Sequence, residues 1–278
     1  MALHTFRQVD VFGSAPLSGN PLAVVHGADG LSDQQMQAFA RWTGLSETTF
    51  LLTPTEPEAD YRVRIFTPER ELPFAGHPTL GSAWAWLAES ARPRLEGQVL
   101  QQCEAGLVPV RVGPDRLAFA APPLTRFEPV EEALLGRIAA GLGLAPDEVL
   151  DASWLVNGPK WIGLRLASAE RVLTVRLNPA GLEGLDVGLV GPHPAGGDVQ
   201  FEVRAFIPGG AVPEDPVTGS LNAGLAHWLM VTGQVGASYV AAQGTAVGAA
   251  GRVHVQRGQD GLWIGGRVAE VIVGTVDL

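Results

Sequence analysis

Arg64-Ile65-Phe66-Thr67-Pro68 through Pro73-Phe74-Ala75-Gly76-His77-Pro78-Thr79 has a counterpart further along the chain, in Arg204-Ala205-Phe206-Ile207-Pro208 through Pro213-Glu214-Asp215-Pro216-Val217-Thr218-Gly219-Ser220. Arg64, Phe66, Pro68, Pro73 and Ala83 recur as Arg204, Phe206, Pro208, Pro213 and Ala223, each pair 140 positions apart, about half of the 278 residues. Each copy reads as a strand, a proline-bounded loop and a helix. Two like halves predict two domains with a cleft between two helix N-termini. Such ends present unpaired N–H groups and the positive end of the helix dipole, so a pair of them suits a small carboxylate.

The surrounding pattern fills in both halves. Residues 3–12 alternate as a strand and 22–25 read as a second. Ser32 with Gln35 forms a capping box for a helix to about Trp42, which Gly44 closes. Strands follow over 46–52, placing Glu47 at the strand mouth, and over 62–66. Pro78 suits the first turn of an apolar helix running through Leu87. Strands at 107–112 and 117–120 lead to a break at Pro122-Pro123. A helix over 131–142 ends in Gly143-Leu144, which resembles Gly44-Leu45 at an offset of 99. Further strands are expected at 154–157, 161–166, 199–206 and within 253–273, with a core helix starting at Pro216. Short strands around one long buried helix per half predict two mainly antiparallel sheets, each wrapped round its own helix.

Composition narrows the function classes. A net charge of −10 without a basic cluster disfavours nucleic acid and anionic membrane. No apolar run approaches a bilayer span, and the amino terminus lacks a secretory pattern, so a cytoplasmic location is expected. Cys103 is the single cysteine, and the six histidines lack ligand spacing, so no metal is expected. Gly141-Leu142-Gly143 lacks the third glycine of a dinucleotide fingerprint, which argues against nicotinamide and ATP.

Three positions carry candidate chemistry. Glu47, at the start of a strand bearing Phe50, Leu51 and Leu52, is either a carboxylate in apolar surroundings suited to proton transfer or an exposed strand-end residue. His77, between Gly76 and Pro78, either meets a ligand or caps its own helix. Asp215 before Pro216 looks like an ordinary N-cap, but Thr218-Gly219-Ser220 brings hydroxyls and bare backbone to the same helix mouth, and Asp215 falls opposite Ala75 in the repeat. Arg62, Arg64, Arg204, Glu71 and Glu214 read as surface or strand-pairing residues, with Arg64 and Arg204 orienting loops through carbonyls.

Ser46-Glu47-Thr48-Thr49-Phe50, Phe74-Ala75-Gly76-His77-Pro78-Thr79 and Glu214-Asp215-Pro216-Val217-Thr218-Gly219-Ser220 resemble the three signature segments of the phenazine-biosynthesis PhzF-like isomerase family. Ser18-Gly19-Asn20-Pro21, Gln243-Gly244 and Gly251-Arg252 resemble its outer motifs; Val253-His254 departs from the usual Pro-Ser. The resemblance implies an α+β, diaminopimelate-epimerase-like fold with two pseudosymmetric domains. Their spans would be 1–122 and 123–267, the strand at about 268–278 packing back on the first. It also implies a cytoplasmic homodimer without cofactor, acting on a small carboxylate-bearing substrate. Carried over by position, Glu47 is the acid/base, His77 and Asp215 share the catalytic set, and Gly76, Gly219 and Ser220 bind substrate. The related epimerases carry cysteines at positions matching Ala75 and Asp215, and neither is cysteine here, which favours a one-base shuttle. The other readings are racemisation or dehydration of an amino or hydroxy acid, and carboxylate binding without catalysis.

Overall fold

The computed structural model describes residues 2–210 and 212–278. In the first half these form β1 (Leu3–Val11), β2 (Asn20–Val25), α1 (Asp33–Thr43), β3 (Glu47–Leu52), β4 (Tyr61–Phe66), β5 (Glu71–Leu72), α2 (Gly76–Ala88), β6 (Gln98–Cys103), β7 (Gly106–Val112) and β8 (Leu117–Ala120). The second half supplies β9 (Arg126–Pro129), α3 (Glu132–Gly141), β10 (Asp151–Val156), β11 (Lys160–Arg165), α4 (Ala169–Thr174), β12 (Asp186–Pro192), β13 (Phe201–Phe206), β14 (Glu214–Asp215), α5 (Gly219–Val231), β15 (Ser238–Gln243), β16 (Gly251–Gly258) and β17 (Gly261–Gly266). A last strand, β18 (Val268–Asp277), pairs antiparallel with β1. The chain divides into two compact units, residues 1–120 with 265–278, and residues 121–264.

Within the first unit β2 pairs parallel with β3, β3 antiparallel with β4, β4 antiparallel with β5 and parallel with β6, and β6 antiparallel with β7. The second unit repeats this order strand for strand: β11 parallel to β12, β12 antiparallel to β13, β13 antiparallel to β14 and parallel to β15, and β15 antiparallel to β16. The repeat is therefore one of topology as well as sequence. Each unit includes two parallel pairs, β2–β3 and β4–β6 in the first and β11–β12 and β13–β15 in the second, which the expectation of mainly antiparallel sheets leaves unspecified.

Each unit is built round one helix buried nearly all round. Gly76 to Ala83 of α2 and Gly219 to Ala226 of α5 are buried without interruption. A helix without a polar face belongs in a core. Glycine lets it approach the strands. A Cβ on Gly81 would lie 2.5 Å from a Leu22 methyl, and one on Gly224 would lie 2.9 Å from the Leu155 Cβ.

The repeat register changes partway. Strands β4 and β13 keep the offset of 140, but β5 and β14, and α2 and α5, begin 143 apart. Phe66 pairs with Glu71 as Phe206 pairs with Glu214, and Ile65 with Leu72 as Ala205 with Asp215. The loop before Glu214 is three residues longer than the loop before Glu71; its Ala211 lies outside the described residues. Asp215 therefore corresponds to Leu72, and Ala75 to Thr218. Thr218 is the N-cap of α5, so the helix starts at Gly219 and not at Pro216. The recurrence of Ala83 as Ala223 is out of register with the helices, whereas Gly81 and Gly224 occupy equivalent places.

A second expectation is also corrected. The capping box of Ser32 and Gln35 forms, and Gly44 closes α1 in the left-handed conformation. However, α1 lies between β2 and β3, a place taken in the second unit by α4 between β11 and β12. The likeness of Gly44-Leu45 to Gly143-Leu144 reflects two helices that both end in a left-handed glycine. It is not part of the repeat.

The paired arginines are more than loop orienters. Arg64 donates Nε and Nη2 to the two carboxylate oxygens of Glu71 at 2.7 and 2.6 Å, and Arg204 does the same to Glu214 at 2.8 and 2.7 Å. Both guanidinium groups lie over the phenylalanine two positions on. Glu71 and Glu214, read from sequence as surface or strand-pairing residues, do pair in β5 and β14 and are also the acceptors of matched bidentate pairs.

Candidate active site

In the first unit, Glu47 opens β3 and His77 is the second residue of α2. Glu47 Oε2 lies 3.4 Å from His77 Nε2, with the His77 side chain 4% and the Glu47 side chain 15% exposed. The two elements are held together by side chains behind the site. Ser82 of α2 donates to Thr49 Oγ1 at 2.9 Å, and Thr48 and Thr43 share a hydroxyl contact of 2.9 Å. On the far side of α2, Thr79 donates to the Ala75 carbonyl and accepts from Gln101, which in turn accepts from the buried Tyr61 hydroxyl.

Asn20, at the start of β2, is completely buried and places its amide nitrogen 3.3 Å from His77 Nδ1. The preceding turn is fixed by Asp10, whose carboxylate accepts the Ser18 N–H at 3.0 Å and the Gly19 N–H at 2.8 Å. A Cβ on Gly19 would lie 2.2 Å from the Val11 carbonyl oxygen, so only glycine fits this turn.

Burial pushes the His77 imidazole down to about 3 from its ordinary 6.5. Although His77 and Glu47 stand within ion-pair distance, the imidazole is neutral near pH 7. The close approach is that of a neutral ring to a carboxyl group. Between pH 6.5 and 3 the unfolded chain binds a proton at this position that the folded chain does not. Stability therefore falls as pH falls through that window, by about 1.4 kcal/mol per pH unit. His77→Gln is expected to flatten this part of the curve. Thermal unfolding at pH 4 and pH 7 checks it, and equal pH losses in wild type and variant would contradict the assignment.

In the second unit, the helix mouth of α5 is set by a closed polar network. Thr218 Oγ1 donates to Asp215 Oδ2 at 2.5 Å and accepts from Gln243 Nε2 at 2.9 Å. Gln243 Nε2 also donates to the Asp215 carbonyl, while Gln243 Oε1 accepts from the Thr218 N–H and from Asn222 Nδ2. Gly244, at φ 91°, has no room for a Cβ, which would meet the Pro216 carbonyl oxygen at 2.6 Å. The Gln243-Gly244 motif thus scaffolds the segment from Asp215 to Ser220. Arg252 Nη1 donates to the Gly251 carbonyl.

Ser220 sits one residue into α5, with its hydroxyl oxygen accepting from the Trp161 indole at 3.0 Å and its carbonyl accepting from Asn157 Nδ2 at 2.8 Å. An indole N–H only donates, so the Ser220 hydroxyl keeps its own hydrogen available to an acceptor. No side chain caps α2 or α5. Gly76 and Gly219 are the first helical residue of each, so both helix mouths offer backbone N–H groups to an anion.

The structure brings Glu47, His77 and Gly76 together in one unit and Asp215, Gly219 and Ser220 together in the other. Sequence reasoning missed four partners. Asn20 and Gln243 appear only inside outer motifs, Asn157 lies in the Asn-Gly-Pro turn between β10 and β11, and Trp161 appears only as the first residue of an expected strand. Among the described residues no group of three or more His, Cys, Asp or Glu could hold a metal ion, and no helix is long and apolar enough to cross a membrane.

This arrangement, two topologically equivalent α+β units each built round a buried helix, defines the epimerase-like class of folds. The probable proline racemase of Agrobacterium radiobacter K84 shares it at 13% identity, with a TM-score of 0.64 over 99% of this chain and 93% of that one, a likeness of fold alone. A PhzF-family protein of Enterococcus faecalis is closer, at 25% identity and TM-score 0.82, with all of both chains covered. The trans-2,3-dihydro-3-hydroxyanthranilate isomerase of Pseudomonas aeruginosa is 34% identical over 91% of this chain and 90% of its own. Residues 9–271 match the model of the phenazine biosynthesis-like family, PhzC-PhzF, and the chain belongs to that family of isomerases.

Proposed function

We propose that the protein is a cofactor-independent isomerase that moves a proton between carbons of a small carboxylate-bearing substrate, in the manner of trans-2,3-dihydro-3-hydroxyanthranilate isomerase. The observation that carries this reading is the Glu47 carboxyl group beside a buried, neutral His77 at an uncapped helix mouth. Glu47 takes a proton from an activated carbon and returns it elsewhere on the same face. In each unit the helix mouth, at Gly76 in the first and at Gly219 with the Ser220 hydroxyl in the second, is suited to bind a carboxylate and to stabilise negative charge as it develops. The neutral imidazole does not compete for the proton at working pH. Asp215, locked to Thr218, is the ionisable member of the second unit's set.

The test is proton NMR of the protein in deuterated water with cyclic and linear amino and hydroxy acids, including the dihydro-hydroxyanthranilate. Deuterium uptake accompanied by migration of the double bond is the expected result. Uptake only at an α-carbon, with inversion, would instead indicate a racemase. Ser220→Ala is expected to raise KM by roughly tenfold or more, the scale of one hydrogen bond to a charged group. An unchanged KM would remove Ser220 from the binding set.

A further inference from the structure

The two nitrogens of His77 are approached from opposite sides by groups of opposite hydrogen-bonding character. Asn20 Nδ2 stands 3.3 Å from Nδ1, and Glu47 Oε2 stands 3.4 Å from Nε2. An amide nitrogen only donates, and an ionised carboxylate only accepts. Both neighbours therefore favour the same tautomer, with a lone pair on Nδ1 and the proton on Nε2. We propose that Asn20 is a positioning residue that fixes His77 as the Nε2–H tautomer, so that His77 presents a donor to Glu47 instead of a competing base. This inference rests on the reading of Glu47 as the acid/base group.

The surroundings make Asn20 a fixed reference for the ring. Its side chain is fully buried, its backbone is paired with Val11 in the β1–β2 ladder, and the turn before it is held by both oxygens of Asp10. With the imidazole kept neutral by burial, its charge does not vary near pH 7. The position of its single proton is what remains to be set. With that proton on Nε2, the ring faces one Glu47 oxygen with an N–H and leaves proton transfer to the carboxylate. The opposite tautomer would turn a lone pair toward Glu47, which is repulsive unless Glu47 is itself protonated. At 3.4 Å the two atoms face each other without forming a hydrogen bond, and such contacts between acid/base groups often tighten only when substrate binds.

Histidine-labelled nitrogen-15 NMR of the substrate-free protein reads the tautomer directly, with the His77 signals assigned by their loss in His77→Gln. The expected spectrum has a pyrrole-type Nε2 and a pyridine-type Nδ1 that persist from pH 8 to pH 5. Asn20→Asp offers an acceptor to Nδ1 and is expected to shift the proton from Nε2 to Nδ1. Asn20→Leu removes the donor and is expected to give a mixture. A wild-type spectrum with the proton on Nδ1 overturns the proposal, as does a wild-type tautomer that neither variant disturbs. If both variants fail to fold, the wild-type spectrum still decides, because its tautomer either agrees with donation from Asn20 or excludes it. No substrate enters this measurement, so its outcome is separate from that of Glu47-dependent deuterium uptake.

Discussion

Glu47→Gln is expected to slow deuterium uptake by about 10²–10⁴-fold, the usual worth of one positioned acid/base group. The substitution keeps shape and volume at the mouth of β3, and leaves an oxygen facing His77 Nε2. What disappears is the ability to hold a proton. Binding and stability should therefore hardly change. The expected pattern is a fall in kcat with KM nearly unchanged, and a melting temperature close to that of wild type. The comparison uses the substrate that shows the fastest exchange with wild-type protein. Uptake retained in Glu47→Gln would move the base to another residue, with Asp215 the first to test. His77 is a poor substitute, because its lowered pKa of about 3 leaves it too weak a base near neutral pH.

The parts of this site that were legible in sequence are those where local chemistry is unusual. Gly76-His77-Pro78 marks a helix start, and Thr218-Gly219-Ser220 stands out by its hydroxyls and bare backbone, although the start of its helix reads as Pro216 and lies at Gly219. Glu47 stands out as a charge opening an apolar strand. The capping box of Ser32 and Gln35 and the closing Gly44 are local as well, and both form as read. The register of the repeat was not legible beyond Phe206. Pro73 and Pro213 align at an offset of 140, yet the strand pairing of Glu214 with Phe206 imposes 143, and only the sheet reveals which wins. Likewise Asn20, Asn157, Trp161 and Gln243 act through contacts 21 to 63 residues distant in sequence, which leave no periodic trace. Strands β6, β12 and β15 were also unread. Gln98–Cys103 alternates half-buried and buried positions, but Gln-Val-Leu-Gln-Gln-Cys has no matching polar/apolar alternation and only one β-branched residue, so its strand character comes from pairing with β7.

The repeat offers a matched pair of arginines with different burial, and this sets the largest stability effect expected here. Arg204 and Glu214 have side chains only 8% and 13% exposed. Besides its bidentate pair, Arg204 donates Nη1 to the Val175 carbonyl at 2.6 Å and to the Val172 carbonyl at 3.2 Å, just after and within α4. Arg204→Leu removes all of these donors while leaving the Glu214 carboxylate in a nearly dry place. The expected cost is about 3–5 kcal/mol, the range for breaking one side of a buried pair. That corresponds to a melting temperature lower by roughly 10 °C for a chain of this size. Arg64 instead shares its charge with Glu71 and with Asp33, which is 86% exposed. Water compensates for much of what Arg64→Leu removes, so its cost should be about 1 kcal/mol. Adding Glu214→Leu to Arg204→Leu should recover part of the loss, because it deletes the carboxylate that the single substitution leaves unpaired. Thermal unfolding of the two single variants and the double variant supplies the comparison. If Arg204→Leu is no more damaging than Arg64→Leu, burial is not what separates the two copies. If the double variant is less stable than Arg204→Leu, the penalty lies in lost packing and lost carbonyl contacts, not in the stranded charge.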